Sequence, residues 1–176
     1  MRAYCLFCQT QRCGVIASLL EMRGEVSRAF SPRILKRQRK QGVNVDRAYD
    51  LLPGYVFFFT EKELVDFSLL RGIDGVIRRI GSEEQGWQLI GGDYDFAMNL
   101  YRKDGMVGQI TLIREGDAVR LSDPLFNGCS GTVAQIDYRK QRARVNYCFA
   151  GMDCFTWVSC ELVRKTEMET ENGHSF

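Results

Sequence analysis

The sequence has few of the residues and motifs that catalysis requires. It contains one histidine, His174, which lies close to the C-terminus. No glycine-rich phosphate loop, metalloprotease motif or nucleophile motif is present. The sequence therefore predicts a protein that is not an enzyme and that uses no cofactor.

Long hydrophobic runs are also missing. No apolar stretch approaches the ~20 residues that a membrane-spanning helix needs, and the N-terminus does not have the layout of a signal peptide. The seven cysteines are an odd number, so complete disulfide pairing is impossible and reduced thiols fit better. These features predict a cytoplasmic protein with no membrane partner.

A metal site is the alternative use for cysteines. Cys5 and Cys8 have the spacing of a metal-binding pair, with Cys13 close behind. On a strand, however, positions 5 and 8 point to opposite faces, and no second pair has ligand spacing. We therefore predict no metal site.

The net charge of +2 says little, but its distribution is uneven. Residues 31–47 carry six basic side chains and one acid, Asp46. Such a run is either a solvated face or an arm that contacts nucleic-acid phosphates, and we favour the arm. The residues of this candidate arm are Arg33, Lys36, Arg37, Arg39 and Lys40, with Arg47 beyond them.

A second basic group lies further along the chain. Arg142 and Arg144 alternate with apolar residues, so they share the outward face of one strand, beside Arg139 and Lys140 in the preceding turn. This group is either a soluble edge or a contact for RNA, and the residues alone leave both readings open. Its cations have no acidic partner in the same strand, and Tyr138 could stack on a base.

The first half of the chain alternates between strand and helix patterns. In LLPGYVFFF, Pro53 and Gly54 precede five aromatic or β-branched residues, which predicts a central strand covered on both faces. The capping-box pattern from Thr60 to Glu63 predicts a helix from 61 to about 71. Further strands are predicted at 3–8, 26–30 and 75–80, and helices at 11–24 and 93–102, with a loop or hairpin arm at 31–47.

After Gly105 the pattern changes to short alternating strands separated by turns. The residues predict an N-terminal α/β sandwich followed by a small β-barrel. The predicted boundaries are 1–105 for the first domain, 106–114 for a linker, 115–165 for the barrel and 166–176 for an acidic, disordered tail. The barrel residues are mostly β-branched or aromatic at period two, so we expect strands and not helices.

Both domains together resemble the bacterial NusG transcription factors and their specialised paralogues. In the first domain the resemblance rests on LPGYVFF and on Pro32 at the head of the basic segment. In the second it rests on the layout of a KOW motif, which consists here of Gly116, Asp117, Val119, Gly128, Gly131 and Val133. It covers roughly residues 1 to 165. It implies the fold class α+β, in which an N-terminal α/β sandwich with an antiparallel sheet is followed by a small SH3- or Tudor-like β-barrel.

The resemblance implies a function for the first domain. In this family the first domain (the NGN domain) docks on the clamp helices of the RNA polymerase β′ subunit. Leu52, Pro53, Gly54 and Tyr55 fall at the positions that form its docking surface. From the residues alone, the alternative is that Leu52 and Tyr55 simply pack in the core. Nascent RNA and upstream or non-template DNA are the nucleic-acid partners expected, and the protein is expected to be a monomer.

Phe149 matches a barrel aromatic that binds partners such as Rho or a ribosomal protein. The sequence departs from housekeeping members here, since it continues as Ala150-Gly151-Met152 without their arginine. It is closer to the specialised antiterminators, which accompany polymerase through particular operons. A housekeeping elongation and termination factor, and a ribosome-associated RNA-binding protein, are the alternatives. The ribosome and Nus factors therefore remain candidate partners.

Overall fold

The strands and helices were assigned in a computed structural model that describes residues 1–64 and 66–164. The first domain contains β1 (Arg2–Cys8), α1 (Cys13–Glu21), β2 (Val26–Phe30), β3 (Arg33–Lys40), β4 (Val43–Asp50), β5 (Tyr55–Thr60), β6 (Val76–Ile80) and α2 (Gly91–Arg102). The chain continues with β7 (Met106–Val107), β8 (Ile110–Glu115), β9 (Ala118–Leu121), β10 (Thr132–Asp137), β11 (Arg142–Phe149) and β12 (Met152–Arg164).

Strand β5 lies inside the main sheet, whose order is β2-β5-β1-β6. Both of its neighbours are antiparallel to it, and all six of its residues are buried. Val56 and Phe58 pack on one face with α1, whereas Phe57 and Phe59 pack on the other with α2 and the barrel. The predicted central strand, covered on both faces, is confirmed.

The helix predicted after β5 is wrong. Within the described residues of this segment, only a single 3-10 turn forms, at Ser68–Leu70. The Thr60 hydroxyl donates to the carbonyl oxygen of Lys62 at 2.6 Å and so does not cap a helix. Glu63 forms an ion pair with Arg2 at 3.3 Å and does not reach back to Thr60. Thr60 is the last residue of a buried strand, and its pairing with Arg2 of β1 keeps its backbone extended.

The basic segment forms a regular hairpin. β3 and β4 pair antiparallel along their whole length, from Arg33 opposite Asp50 to Lys40 opposite Val43. β3 also pairs with β7 in parallel, through Arg33 and Ile34. The sequence allowed a loop or a hairpin for this segment, and the hairpin is confirmed.

The second domain is a curled five-stranded sheet with the order β10-β11-β12-β8-β9. Residues 106–114, which the sequence predicts as a linker, contain β7 and most of β8. β8 pairs in parallel with the end of β12 and antiparallel with β9, so it belongs to the barrel. The alternation in β11 and β12 has the predicted period of two, and the small β domain is confirmed.

No helix within residues 1–64 and 66–164 has the length and apolar character needed to cross a membrane.

The packing of Phe58 on the buried face of β5 leads to a prediction about stability. Phe58 is fully buried and stacks on Tyr4 with ring centroids 5.1 Å apart. Phe58→Ala is expected to lower the free energy of unfolding by about 3–5 kcal/mol, because it removes apolar contacts and leaves a cavity. Urea unfolding followed by circular dichroism measures this. Ile77→Ala is the control, since Ile77 is 58% exposed on β6. Equal losses in the two variants would contradict this packing.

Candidate functional site

The turn before β5 places Leu52 and Tyr55 together. The Tyr55 amide donates to the Leu52 carbonyl at 3.1 Å, and the Cys8 amide donates to the Gly54 carbonyl at 2.7 Å. Gly54 has a φ of +89°, and a Cβ atom there would lie 2.8 Å from the Phe7 ring. Glycine is therefore required at this position for two independent reasons. Leu52 and Tyr55 are both buried.

Tyr55 contacts the barrel as well as its own domain. Its ring lies 5.2 Å from that of Phe7 and 5.9 Å from that of Phe149 on β11, the second in an edge-on arrangement. Its hydroxyl lies 3.8 Å from the sulfur of Met152 on β12. Burial raises the pKa of the Tyr55 hydroxyl. The barrel thus covers Tyr55 of the surface predicted to dock polymerase, whereas Pro53 in the same turn is exposed.

Phe149 is the centre of this contact. It is 0% exposed, and its ring lies 5.4 Å from Phe57 on β5 and 5.5 Å from Phe96 on α2. Tyr147 stacks on Phe96 at 5.7 Å. The two domains therefore share one apolar core, and the predicted partner-binding aromatic faces inward against the first domain.

Polar contacts from α2, and from Lys103 directly after it, surround this aromatic core. The Asp93 carboxylate accepts from the Ala150 amide at 2.9 Å, and Asn99 donates to the Pro124 carbonyl at 2.8 Å. Lys103 forms an ion pair with Asp123 at 2.8 Å, and that carboxylate is nine-tenths buried. A buried carboxylate is costly without its partner. The barrel is therefore docked in one defined orientation.

Two glycines determine how closely the domains approach. A Cβ atom on Gly92 would lie 1.9 Å from the carbonyl oxygen of Gly128 in the loop between β9 and β10. A Cβ atom on Gly128 would lie 2.7 Å from Asp95. No larger residue fits at either position without moving the barrel away from α2.

The two basic segments, which are far apart in sequence, meet in one cleft. Lys36 and Arg37 of β3 form one wall, and Arg139, Lys140 and Arg142 form the other. The cleft has a volume of about 640 Å³, and its remaining lining includes Trp157 and Ser159 of β12.

The outer face of the barrel carries a ladder of cations and rings. The Arg142 guanidinium lies 4.7 Å from the Trp157 ring, and that of Arg144 lies 4.3 Å from the Phe155 ring. Arg142 and Arg144 share this face, as predicted, since Ala143 and Val145 are buried. Arg142 also pairs with Asp137 of β10 at 3.3 Å. Its acidic partner comes from the neighbouring strand, which sequence periodicity within β11 does not reveal.

The remaining predicted residues are more dispersed. Arg33 donates to the Ala48 carbonyl at the base of the hairpin, whereas the side chains of Arg39 and Lys40 lie outside the described residues. Gly116, with a φ of +62°, and Asp117 form the turn between β8 and β9. Val119 and Val133 pack on the shared core. Gly131 lies against Phe126, which a Cβ atom would approach to 2.3 Å.

Some residues of the site were not anticipated. The sequence indicated helix α2 but not its role in holding the barrel, for which Gly91-Gly92 at the start of an amphipathic helix was the available signal. Phe155 and Trp157 were assigned only to a strand. Phe155 and Trp157 alternate with other residues along β12, as Arg142 and Arg144 do along β11. The two strands pair antiparallel, with Arg144 opposite Trp157.

Cys5 and Cys8 lie on opposite faces of β1, since Cys5 packs in the core with α2 and Cys8 in the core with α1. Burial raises the pKa of the Cys8 thiol to about 12. Within the part of the chain described, no group of cysteine, histidine and acidic side chains is arranged to hold a metal ion.

Comparison with known proteins places the fold. No family model matches the chain, and no curated protein matches it. Its structure is similar to that of NusG from Thermotoga maritima, in a study of domain interaction in that protein, with a TM-score of 0.52 and 14% identity. The match covers 89% of this chain and 92% of that one. The fold is NusG-like. At this identity the similarity shows the fold alone.

The close approach of Gly92 to the Gly128 carbonyl indicates a substitution that should separate the two domains. Gly92→Ala is expected to destabilise the docked arrangement by about 1–3 kcal/mol, the usual cost of overpacking. Alanine also favours helix, so α2 itself is not weakened. Small-angle X-ray scattering should show a larger radius of gyration, and NMR relaxation should show the domains tumbling more independently.

Gly14→Ala in α1 is the matched control, because no atom lies within 4 Å of the added Cβ. It is expected to leave both measurements unchanged. A Gly92→Ala protein with the wild-type radius and relaxation would show that this contact does not hold the domains together.

Proposed function

We propose that the protein is a transcription elongation and antitermination factor that binds the clamp helices of RNA polymerase through Leu52 and Tyr55. Its fold is NusG-like, and the turn at Pro53-Gly54 places both side chains at one end of β5. In this proposal the protein accompanies polymerase through particular operons and catalyses no reaction.

One observation supports the docking role above the others. Tyr55 and Leu52 belong to an apolar surface of the first domain that a second domain covers with Phe149 and Met152. Large apolar patches on a domain are typically interaction sites, and aromatic anchors are enriched at the centres of such sites. Release of the barrel would expose a preformed aromatic surface for a polymerase helix.

Docking of the barrel and of polymerase would then exclude each other. The apparent dissociation constant for polymerase rises as the open fraction falls, because only the open form offers Tyr55. A factor that acts on particular operons must not bind polymerase on the other genes, and docking of the barrel would prevent that binding. The Ala150 amide and the Met152 sulfur, which lie where the sequence departs from housekeeping members, both contact the first domain. This use of the departing residues favours the specialised role.

Gly92→Ala is therefore expected to bind a clamp-helix fragment more tightly than the wild type does. A docking cost of about 1–3 kcal/mol corresponds to roughly 5- to 150-fold in affinity, provided that the closed form predominates. Isothermal titration with the purified fragment measures this change. Gly14→Ala should bind as the wild type does.

Tyr55→Ala in the Gly92→Ala background is expected to lose roughly thirtyfold in affinity, or about 2 kcal/mol, because the aromatic anchor is removed. The open background matters, since Tyr55 also contacts Phe149 and its loss alone would weaken closure. Tyr55→Phe keeps the ring and should retain most of the affinity. Unchanged binding by a folded Tyr55→Ala variant would refute the docking assignment. Capture of Rho by the opened protein would instead favour the housekeeping role.

A further inference from the structure

We propose that the cleft between the β3–β4 hairpin and the barrel binds single-stranded nucleic acid, and that it exists as a binding site only while the barrel is docked. Lys36 and Arg37 on one wall belong to the first domain. Arg139, Lys140 and Arg142 on the other wall belong to the barrel. Neither domain alone contains the site.

The walls are joined directly. The backbone amide of Arg37 in β3 donates to the Ser159 hydroxyl of β12 at 3.2 Å. Trp157 and Val158 of the same strand line the cleft beside it. Movement of the barrel away from α2 would break this hydrogen bond and separate the two sets of cations.

The cleft has an excess of positive charge. Arg37 forms an ion pair with Asp46, and Arg142 forms one with Asp137, each at 3.3 Å. Among the described residues, no acidic side chain forms an ion pair with Lys36, Arg139 or Lys140. Partial burial lowers the pKa of the Lys36 ammonium group, and the nearby Arg142 lowers it further. Closure therefore brings like charges together at some electrostatic cost. A polyanion in the cleft would relieve that repulsion, so its binding would favour the closed form.

The ladder on the barrel extends the cleft with surfaces for stacking. Trp157 lines the cleft, and the next aromatic on the outward face of β12, Phe155, is 60% exposed. Arg142 and Arg144 lie over these rings. Unpaired bases stack on aromatic rings and on guanidinium planes. Phosphates in the cleft and bases on the ladder would thus follow one continuous track.

Exposed rings beside the cations favour a single strand over the other polyanions. The bases of a duplex are stacked on each other and cannot reach Phe155. An acidic peptide has no planar bases that could stack on the rings of Trp157 and Phe155. Stacking and backbone charge are common to RNA and DNA, so both fit the track, and the 2′-hydroxyl distinguishes them only where a donor or acceptor reads it.

The consequence for regulation rests on the function proposed above. Nucleic acid would stabilise the closed form and polymerase the open form. By linkage, each ligand would weaken the affinity of the other by the same factor. Single-stranded nucleic acid would then act as a negative effector of polymerase docking.

Fluorescence anisotropy with the full-length protein tests the binding site. The probes are labelled single strands of about ten nucleotides, as RNA and as DNA of the same mixed sequence, and the matching duplexes. Both single strands are expected to bind, with duplexes weaker. Phe155→Leu, which keeps an apolar side chain but removes the ring, should weaken binding roughly fivefold or more. Equal affinity for duplex and single strand, or an unaffected Phe155→Leu variant, would overturn the stacking track.

Salt dependence tests the charges. If the cleft neutralises about three phosphates, the logarithm of affinity should fall against the logarithm of salt concentration with a slope of about −2. Lys36→Gln with Lys140→Gln should reduce the slope by roughly 1.4, because one neutralised charge is lost from each wall. Arg120→Gln is the matched control, since Arg120 is an exposed barrel cation that does not line the cleft. The same slope in the double variant would overturn the assignment.

Opening the protein tests the requirement for closure. Gly92→Ala, and independently Lys103→Ala, which leaves the buried Asp123 without its cation, should both weaken single-strand binding although no cleft residue is changed. Gly14→Ala should not. If both opened variants, shown to be open by scattering, bind as tightly as the wild type, the site does not depend on docking and the inference fails.

Titration of the clamp-helix fragment with and without the oligonucleotide separates the two proposals. A lower fragment affinity in the presence of oligonucleotide supports the coupling. Failure of every variant to bind the fragment would refute the polymerase assignment but leave the cleft standing. Fragment binding that is insensitive to bound oligonucleotide would overturn the coupling and leave polymerase docking intact.

Discussion

The burial of Phe149 between β5 and α2 is the contact on which the rest of the structure depends. It joins the core of the barrel to the core of the first domain, so that Tyr55, Phe57 and Phe96 have aromatic neighbours that their own domain does not supply. Without it, Tyr55 would be exposed and the basic cleft would divide. Closure therefore hides one candidate surface and creates another.

Specificity of the closed arrangement comes from contacts around the aromatic core. Apolar contacts are not directional, and several orientations of a barrel could bury Phe149. The Lys103–Asp123 ion pair and the bond from the Ala150 amide to Asp93 require particular geometry. The glycine contact between α2 and the barrel adds a limit on distance. These contacts select one orientation of the barrel.

Local patterns predicted most of the elements because they rest on short-range physics. The apolar run after Pro53-Gly54 gave a covered strand, and the alternation of β11 gave its outward arginines. The prediction failed at Thr60, where a helix-capping pattern begins in a buried strand. There the pairing of β5 with β1, nearly sixty residues earlier in the chain, outweighed the local preference for a helix. Residues 106–114 were misread for a similar reason, since β8 is paired with the distant β12.

The sequence by itself determined the fold class and the positions of the charged and aromatic side chains. Only the tertiary structure decided which of those residues act together. Lys36 and Arg142 line one cleft although about a hundred residues separate them, and Phe149 covers Tyr55 although both had been expected to face partners. Secondary structure follows from periodicity within a few residues. Docking of one domain on another depends on the shapes of complete surfaces, and no local pattern specifies those.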